Sequence, residues 1–241
     1  MIRPSFKPIV PDKEFTHLKL PIDIEPAVRS ELNGRRVYIV DGDTSNPLFS
    51  VTTVLGEREK DWVENWKREV GEEFAKKVST QASNIGTCIH SLCESYLSNI
   101  DISDSVRNNV ILYHRFKKLS KTLNKIDNIY CLETPLYSKR LKLAGTVDCI
   151  AEYDGVPSVI DFKTSNKPKQ FEEIPHYFAQ ATAYAVMFYE MYGIKIKQVV
   201  IMISIDSDET FVYVSNISKH IDYLIESIKI FNKTMEDKNG N

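Results

Sequence analysis

The sequence predicts an α/β protein, a sandwich in which helices flank a mixed central β-sheet. Three observations lead to this prediction. Apolar residues between Trp62 and Leu97 recur at helical spacing. β-rich runs bounded by turn residues fill positions 129–163. A helical stretch over 174–192 is followed by the apolar run Val199–Ile205, which is typical of a buried strand.

The predicted elements alternate between helices and strands along the chain. In order they are a strand at 36–41, helices at 62–78, 83–97 and 105–124, strands at 129–137, 143–153 and 156–163, a helix at 174–192, strands at 199–205 and 209–215, and a helix at about 216–236. Trp62 and Trp66 are expected to be core anchors. Gly193 provides a natural end for the helix before it.

The chain divides into a short arm and one large domain. Residues 1–34 mix prolines with charges and show weak periodicity, so we expect an extended N-terminal arm. Residues 35–241 then form a single domain, with core motifs in 47–205.

The segment 42–47 is rich in turn residues and is interpreted as a solvated turn. A calcium loop is the alternative, but no bidentate Glu follows at the required spacing.

The composition narrows the class of protein. No apolar run approaches the roughly 20 residues of a membrane span, and the N-terminus lacks the apolar region of a secretory signal. We therefore expect a cytoplasmic protein of a bacterium or a phage-infected host, without membrane contact. A mitochondrial protein is less favoured, because acidic residues recur up to Glu31.

With a net charge of −2, any contact with nucleic acid depends on local basic patches.

A tight hairpin predicts that two aspartates meet. Asp154 and Gly155 suit a two-residue type I′ turn, which needs φ > 0 at both central positions. Counting away from that turn along both strands places Asp148 directly opposite Asp161. Lys163, two residues beyond Asp161, lies on the same face of its strand.

Two carboxylates and a lysine on one strand pair suit metal-assisted phosphodiester hydrolysis. Facing carboxylates repel each other unless a cation neutralises them. Mg²⁺ or Mn²⁺ takes oxygen ligands, holds the phosphate and activates a water, while the lysine orients that water or stabilises charge on phosphorus. The alternative is an exposed hairpin with a salt-bridged Asp and Lys. Val159 and Ile160 make an exposed hairpin less favoured, because they indicate a strand with little exposed surface.

The surrounding motifs resemble those of the PD-(D/E)XK nuclease superfamily, in the form used by RecB-type nucleases. The segments that carry the resemblance are Leu48–Leu55, Gly86–His90, Gly145–Asp148, Val159–Ser165 and the Gln-x-x-x-Tyr pair Gln180 and Tyr184. Residues 148–169 look closest to a group of mitochondrial and phage exonucleases. The resemblance covers roughly residues 47–205 and implies a restriction-endonuclease-like core.

The resemblance also implies which residues form the site. Asp148, Asp161 and Lys163 would be catalytic. The implied metal ligands are His90, Asp148, Asp161, the backbone carbonyl of Phe162 and, as a further candidate, Glu133. For His90 the alternative is an ordinary surface or core histidine, and for Glu133 a charge at a strand edge.

Further residues are implied as contacts to the substrate. Gln180 and Tyr184 share a helix face and would contact phosphate or orient Lys163, with ordinary packing of Tyr184 as the alternative. Ser50 and Thr52 would bind phosphate or cap a helix. Beside a nuclease site, basic residues that would otherwise be surface charge are expected to contact the DNA backbone. These are Lys139, Arg140, Lys142, Lys167 and Lys169.

These features predict a Mg²⁺- or Mn²⁺-dependent exonuclease acting on single-stranded DNA or DNA ends. Its context would be replication, repair or recombination, with proteins of those processes as partners. An endonuclease of the same fold is the enzymatic alternative, and a catalytically idle DNA-binding module is the alternative from another class. No iron–sulfur cluster is expected, because the late cysteines of cluster-bearing relatives have no counterpart after Cys149. No nucleotide cofactor is expected, because the Gly-x-x-x-x-Gly-Lys-Ser/Thr motif is missing.

Overall fold

The computed structural model describes residues 8–106, 109–207 and 209–239. Its strands are β1 (Val28–Leu32), β2 (Arg35–Val40), β3 (Asp43–Ser50), β4 (Ile126–Ser138), β5 (Leu143–Tyr153), β6 (Val156–Ser165), β7 (Gln198–Ile205) and β8 (Thr210–Asn216). Its helices are α1 (Val51–Gly56), α2 (Lys60–Val70), α3 (Glu72–Leu97), α4 (Ser103–Val106), α5 (Val110–Leu123), α6 (Pro175–Tyr192) and α7 (Ile221–Asn239). None of these helices combines the length and apolar character that crossing a bilayer requires.

Within the described ranges the strands form one eight-stranded sheet. Its order is β1-β2-β3-β5-β6-β7-β8, and β4 pairs with the remaining edge of β5. The β3–β5 and β6–β7 pairs are parallel and the others are antiparallel. Helices α1, α6 and α7 pack on one face and α3 and α5 on the other. The predicted α/β sandwich with a mixed sheet is confirmed.

The sheet forks along β5. One edge of β5 pairs with β4 along most of the strand. The other edge pairs with β3 at Leu143 and Ala144, then with β6 from Cys149 to Tyr153. Between these two contacts, residues 145–148 have no strand partner on that edge among the described residues. The fork therefore leaves a short stretch of β5, which ends at Asp148, unpaired on this edge.

The helices before the sheet differ from the prediction. Helix α2 ends at Val70 because Gly71 takes φ +86°, with its N–H bonded to the Lys67 carbonyl. From Glu72 to Leu97 the chain is one continuous helix, since Gly86 inside it costs too little to break it. The helix predicted over 105–124 is α5, which begins where Asn109 caps the Leu112 N–H; residues 107–108 of that prediction lie outside the described residues.

The prediction that the tryptophans anchor the core is wrong. Trp62 is 67% exposed, and its ring stacks on the half-buried Trp66 at 6.5 Å between centroids. Phe74, across Gly71, is 57% exposed. Helical spacing showed that these side chains share a face, but α2 and the first half of α3 have little of the core to pack against.

The segment before the domain enters the fold earlier than predicted. Strand β1 lies inside the predicted arm, and positions 43–47, predicted as a turn, belong to β3. The turn itself is Asp41 and Gly42, both at positive φ. Upstream, the Asn99 side chain bonds the Phe15 backbone through both its oxygen and its nitrogen, at 2.7 and 3.0 Å. Residues 8–27 are therefore tied across the end of α3.

Candidate active site

The β5–β6 hairpin places the two predicted aspartates at the end of its ladder. Asp154 and Gly155 form the turn at φ 49° and 78°, the left-handed values of a type I′ turn. The predicted register is found along every pair of the ladder, which ends one residue before Asp148 and Asp161. The two aspartates therefore lie where the strands stop pairing with each other.

Beyond the last backbone pair between β5 and β6, the side chain of Asp148 connects the two strands. Its Oδ2 accepts a hydrogen bond from the backbone N–H of Phe162 at 2.7 Å. Burial alone would raise the pKa of Asp148, but the hydrogen bond and charge of His90, with the charge of Lys163, hold it below its ordinary value. The ring of Phe162 is buried and meets the His90 ring edge-on at 6.2 Å. A role for the Phe162 carbonyl stays a prediction.

Asp161 and Lys163 form a buried ion pair on β6. The neighbours Ile160 and Phe162 pack toward α3 and α5, so alternation turns Asp161 and Lys163 toward α6. The Lys163 Nζ lies 2.5 Å from Asp161 Oδ2. Burial raises the pKa of Asp161 to about 6. Burial would lower the pKa of Lys163, but the charges of Asp161 and Asp148 raise it.

His90 and Glu133 join Asp148 from two other elements. The His90 Nδ1 on α3 lies 3.4 Å from Asp148 Oδ1 and 3.8 Å from Glu133 Oε1. Glu133 lies within β4 with φ 41°, a left-handed conformation that costs about 1–2 kcal/mol for a residue with a Cβ atom. Such strain persists where the surroundings require it, often at functional sites.

The same neighbours hold a proton on His90. Burial opposes the charged imidazole, but the hydrogen bonds to Asp148 and Glu133 outweigh it and raise the pKa of His90 to about 10. At neutral pH the cation-free site therefore contains an imidazolium between two carboxylates. A bound metal ion would therefore compete with the proton of His90.

The donor atoms suit a hard divalent cation. One atom each from His90, Glu133 and Asp148 lie within 4.8 Å of one another. Carboxylate oxygens suit Mg²⁺ and Mn²⁺, and an imidazole nitrogen is a common ligand of divalent transition metals. The buried Asp161 Oδ2 forms an ion pair with Lys163 and, among the described residues, accepts no hydrogen bond from any other group. The residues present therefore fit a metal at this fork of the sheet.

Helix α6, which follows β6, carries Gln180 and Tyr184, and the two side chains differ in burial. Tyr184 is only 3% exposed, and burial raises the pKa of its phenol. A Cβ atom at Gly145 would lie 2.8 Å from the Tyr184 Oη, so this glycine lets the ring pack onto the free stretch of β5. Gln180, one helical turn before Tyr184, is half-buried. The burial fits packing for Tyr184 and leaves Gln180 nearer to solvent.

Ser50 and Thr52 lie on the other side of the fork. Ser50 pairs with Ala144 and is buried, and its Oγ is 2.7 Å from the Thr52 Oγ1. Ser50 precedes α1, yet its side chain makes no capping hydrogen bond. The capping interpretation is therefore wrong for Ser50, and phosphate binding stays a prediction.

The basic residues form two separate groups. Lys139, Arg140 and Lys142 occupy the β4–β5 turn, and the six residue steps from Lys142 to Asp148 span about 20 Å along the strand. Lys139 and Arg140 are already paired with acids, with Asp41 at 2.7 Å and Glu190 at 2.8 Å. Lys167 and Lys169 follow β6 and are nearer in sequence to Lys163. The second group is better placed for DNA at the site.

One neighbour of the site was missed by the sequence interpretation. The Tyr177 ring on α6 lies 5.1 Å from the Lys163 Nζ. Tyr177, Gln180 and Tyr184 are spaced by three and four residues, so they share one helix face. That spacing was the signal that could have found Tyr177.

The comparisons with known proteins agree with these motifs. Residues 107–220 match the family profile of the PD-(D/E)XK nuclease superfamily. Mitochondrial genome maintenance exonuclease 1 of Homo sapiens is 31% identical over 134 residues, or 52% of this chain and 39% of that protein. The Mus musculus protein is 30% identical over 133 residues, with the same coverage, and the Xenopus tropicalis protein 25% over 166 residues, or 66% and 44%. The predicted resemblance is confirmed.

The matched regions are partial. The chain spans about two fifths of the length of these relatives. A crystal structure of a proposed exonuclease from Eubacterium rectale has a TM-score of 0.43 and 14% identity, covering 66% of this chain and 68% of that one.

Proposed function

We propose that this relative of the PD-(D/E)XK nuclease superfamily is a Mg²⁺- or Mn²⁺-dependent deoxyribonuclease that hydrolyses phosphodiester bonds. One observation carries the proposal: His90, Glu133 and Asp148 converge beside the buried ion pair of Asp161 and Lys163. Burying several ionisable groups together is costly for folding, so such clusters mark functional sites.

The metal would be held by residues from one helix, α3, and three strands, β4, β5 and β6. His90, Glu133 and Asp148 are the ligands that lie closest together, and Asp161 and the Phe162 carbonyl are the further ligands that we propose. When bound, the cation supplies Lewis-acid chemistry and a water of lowered pKa. The Asp148 bond to the Phe162 N–H would keep the two halves of this ligand set in register.

Lys163 would act on the scissile phosphate and the attacking water. Its pKa is raised above the ordinary value by Asp161 and Asp148 despite burial, so it is cationic at neutral pH. A fixed positive charge stabilises the negative charge that develops on the phosphate oxygens. A protonated lysine can orient a water but cannot accept its proton.

We further propose that the enzyme degrades single-stranded DNA from its ends. The exposed ring of Trp62, stacked on the half-buried Trp66, offers a surface on which unpaired bases can stack. Lys167 and Lys169 would contact backbone phosphates. The named relatives are exonucleases, which supports action at ends.

Two other functions are compatible with the fold. An endonuclease would use the same metal chemistry, because nothing in the ligand set restricts it to ends. A catalytically idle DNA-binding module would keep the fold without the reaction. Its weakness is that the chain retains Asp161 and Lys163 as a buried pair, which binding alone does not require.

A digestion series tests the activity. Linear single-stranded, linear duplex and circular single-stranded DNA are incubated with Mg²⁺, with Mn²⁺ or with EDTA. We expect metal-dependent loss of the linear single strand and an intact circle. A cut circle overturns the exonuclease assignment in favour of an endonuclease. Binding without degradation in either metal overturns the nuclease proposal.

Variants tie the activity to the site. Asp161→Ala and Lys163→Ala should each slow degradation at least about 100-fold. Lys125→Ala is the matched control, because Lys125 forms an exposed ion pair with Asp154 at the tip of the same hairpin, at 3.2 Å. If the two site variants cleave as fast as the control, the assignment of the site is wrong.

The proposal extends to the setting of the enzyme. We propose a cytoplasmic role in replication, repair or recombination of bacterial or phage DNA, with proteins of those processes as partners. The division into an arm, residues 1–34, and a nuclease domain, residues 35–241, is also a proposal. The hydrogen bonds between Asn99 and Phe15 indicate that part of the arm stabilises this domain.

A further inference from the structure

Lys163 has a second neighbour besides Asp161. The ring of Tyr177 lies with its centroid 5.1 Å from the Lys163 Nζ, within the range of a cation–π contact. Asp161 Oδ2 lies 2.5 Å from the same nitrogen. The ammonium thus has a carboxylate and an aromatic ring as neighbours.

The position of the Tyr177 ring is fixed by the first turn of α6 and by packing against neighbouring side chains. Pro175 starts α6, and the Tyr177 N–H donates to the Ile174 carbonyl at 3.1 Å in the first turn. Its half-buried side chain packs against the core and against the His176 ring, at 4.2 Å between centroids. A ring anchored in this way can restrict a flexible side chain that contacts it.

We propose that Tyr177 is a positioning residue that holds the Lys163 ammonium against Asp161 in the orientation needed for phosphate cleavage. The inference rests on the proposed nuclease function. Lysine is a point charge on a flexible four-carbon stem, so one ion pair alone leaves it several orientations. The ring removes some of them without competing for the N–H groups that would reach the phosphate or the water.

The ring, and not the hydroxyl, is the part that acts in this arrangement. Tyr177→Phe keeps the ring and should retain most of the rate. Tyr177→Leu removes the aromatic face, and kcat should fall about 2- to 30-fold, the range of a cation–π contact converted to a rate. KM should stay the same, because Tyr177 acts through Lys163. Tyr177→Met provides a second ring-free variant should the leucine variant fail to fold.

The matched control is on the same helix. Tyr189 is 45% exposed, and its ring lies 5.5 Å from the Lys195 Nζ, far along α6 from the site. Tyr189→Leu removes a similar contact and should leave kcat unchanged. In a Lys163→Ala background, measured in long single-turnover reactions, Tyr177→Leu should cause no further loss.

A second measurement does not depend on activity. In the cation-free protein, the ring should shift the NMR signals of the Lys163 ε-methylene upfield. The shift should persist in Tyr177→Phe and disappear in the leucine or methionine variant. An unshifted parent signal overturns the contact even if no DNA is cleaved. Where the parent cleaves DNA, three results would overturn the inference and leave the nuclease proposal standing. These are an unchanged kcat in the ring-free variants, an equal loss of kcat in Tyr177→Phe, and the same loss of kcat in the Lys163→Ala background.

Discussion

Asp148 accepts a hydrogen bond from the backbone N–H of Phe162 at 2.7 Å, at the position where β5 and β6 stop pairing. This hydrogen bond connects Asp148, a candidate metal ligand on β5, to β6, the strand that carries the candidate catalytic residue Lys163. The carboxylate has two tasks, because Oδ2 holds the strand while Oδ1 faces His90.

These two tasks can be separated by substitution. Asp148→Asn keeps an oxygen for the Phe162 N–H but loses the charge, so cleavage should fall at least about 100-fold while the melting temperature changes little. Asp148→Ala also leaves that buried N–H without a partner, which should cost about 1–3 kcal/mol of unfolding free energy. Denaturant unfolding and cleavage rates measure both effects. Equal stability of the two variants would contradict the strand-fastening role.

Metal binding should compete with a proton on His90. Its pKa of about 10 in the cation-free site exceeds the ordinary 6.5, so the protonated form stabilises the fold fully below pH 6.5 and this stabilisation is lost as pH rises through about 10. Mn²⁺ must displace that proton, so its apparent affinity should rise by up to about tenfold per pH unit from neutral pH upward.

Calorimetric titration with Mn²⁺ in buffers of different ionisation enthalpy measures the proton released. His90→Gln, which has no proton to lose, should flatten the dependence on pH. The competition is absent if the parent protein binds Mn²⁺ equally well at pH 7 and pH 9.

Gly145 should tolerate no side chain. A Cβ atom there would lie 2.8 Å from the Tyr184 Oη and 2.9 Å from its Cε1, and the buried ring has little room to move. Gly145→Ala should lower the unfolding free energy by about 1–3 kcal/mol and reduce cleavage. Gly86→Ala is the stability control, because its nearest contact would be Thr164 at 3.8 Å and helical alanine gains up to about 1 kcal/mol. A Gly145 variant as stable as the parent would refute the close contact.

Trp62, which is exposed, and Trp66, which is half-buried, should contribute more to DNA binding than to stability. Trp62→Ala and Trp66→Ala should each weaken binding of single-stranded DNA, by about 1–3 kcal/mol for each base that stacks. Fluorescence anisotropy with a labelled strand measures the change. Ile111→Ala, at a residue that is 70% exposed on α5, is the control. Unchanged affinity in the tryptophan variants would exclude stacking on α2.

Much of the fold followed from local patterns. Period-two runs predicted β5 and β6, and the Asp154 and Gly155 turn set their register, because only a narrow set of backbone angles closes a two-residue hairpin. The helix over 174–192 ended at Gly193, as predicted, because that residue takes φ 72°. Burial of α2 could not be predicted in this way, since periodicity shows which residues share a face and not what packs on it.

The sequence by itself determined the hairpin register and the face of β6 that carries Asp161 and Lys163, because both depend on short-range backbone geometry. Only the tertiary structure decided that β5 leaves β3 and joins β6 beside Asp148, and that Glu133 takes a left-handed conformation near His90. Those contacts join residues far apart in the chain. Their geometry depends on how the helices and the sheet pack as a whole, which local propensities do not encode.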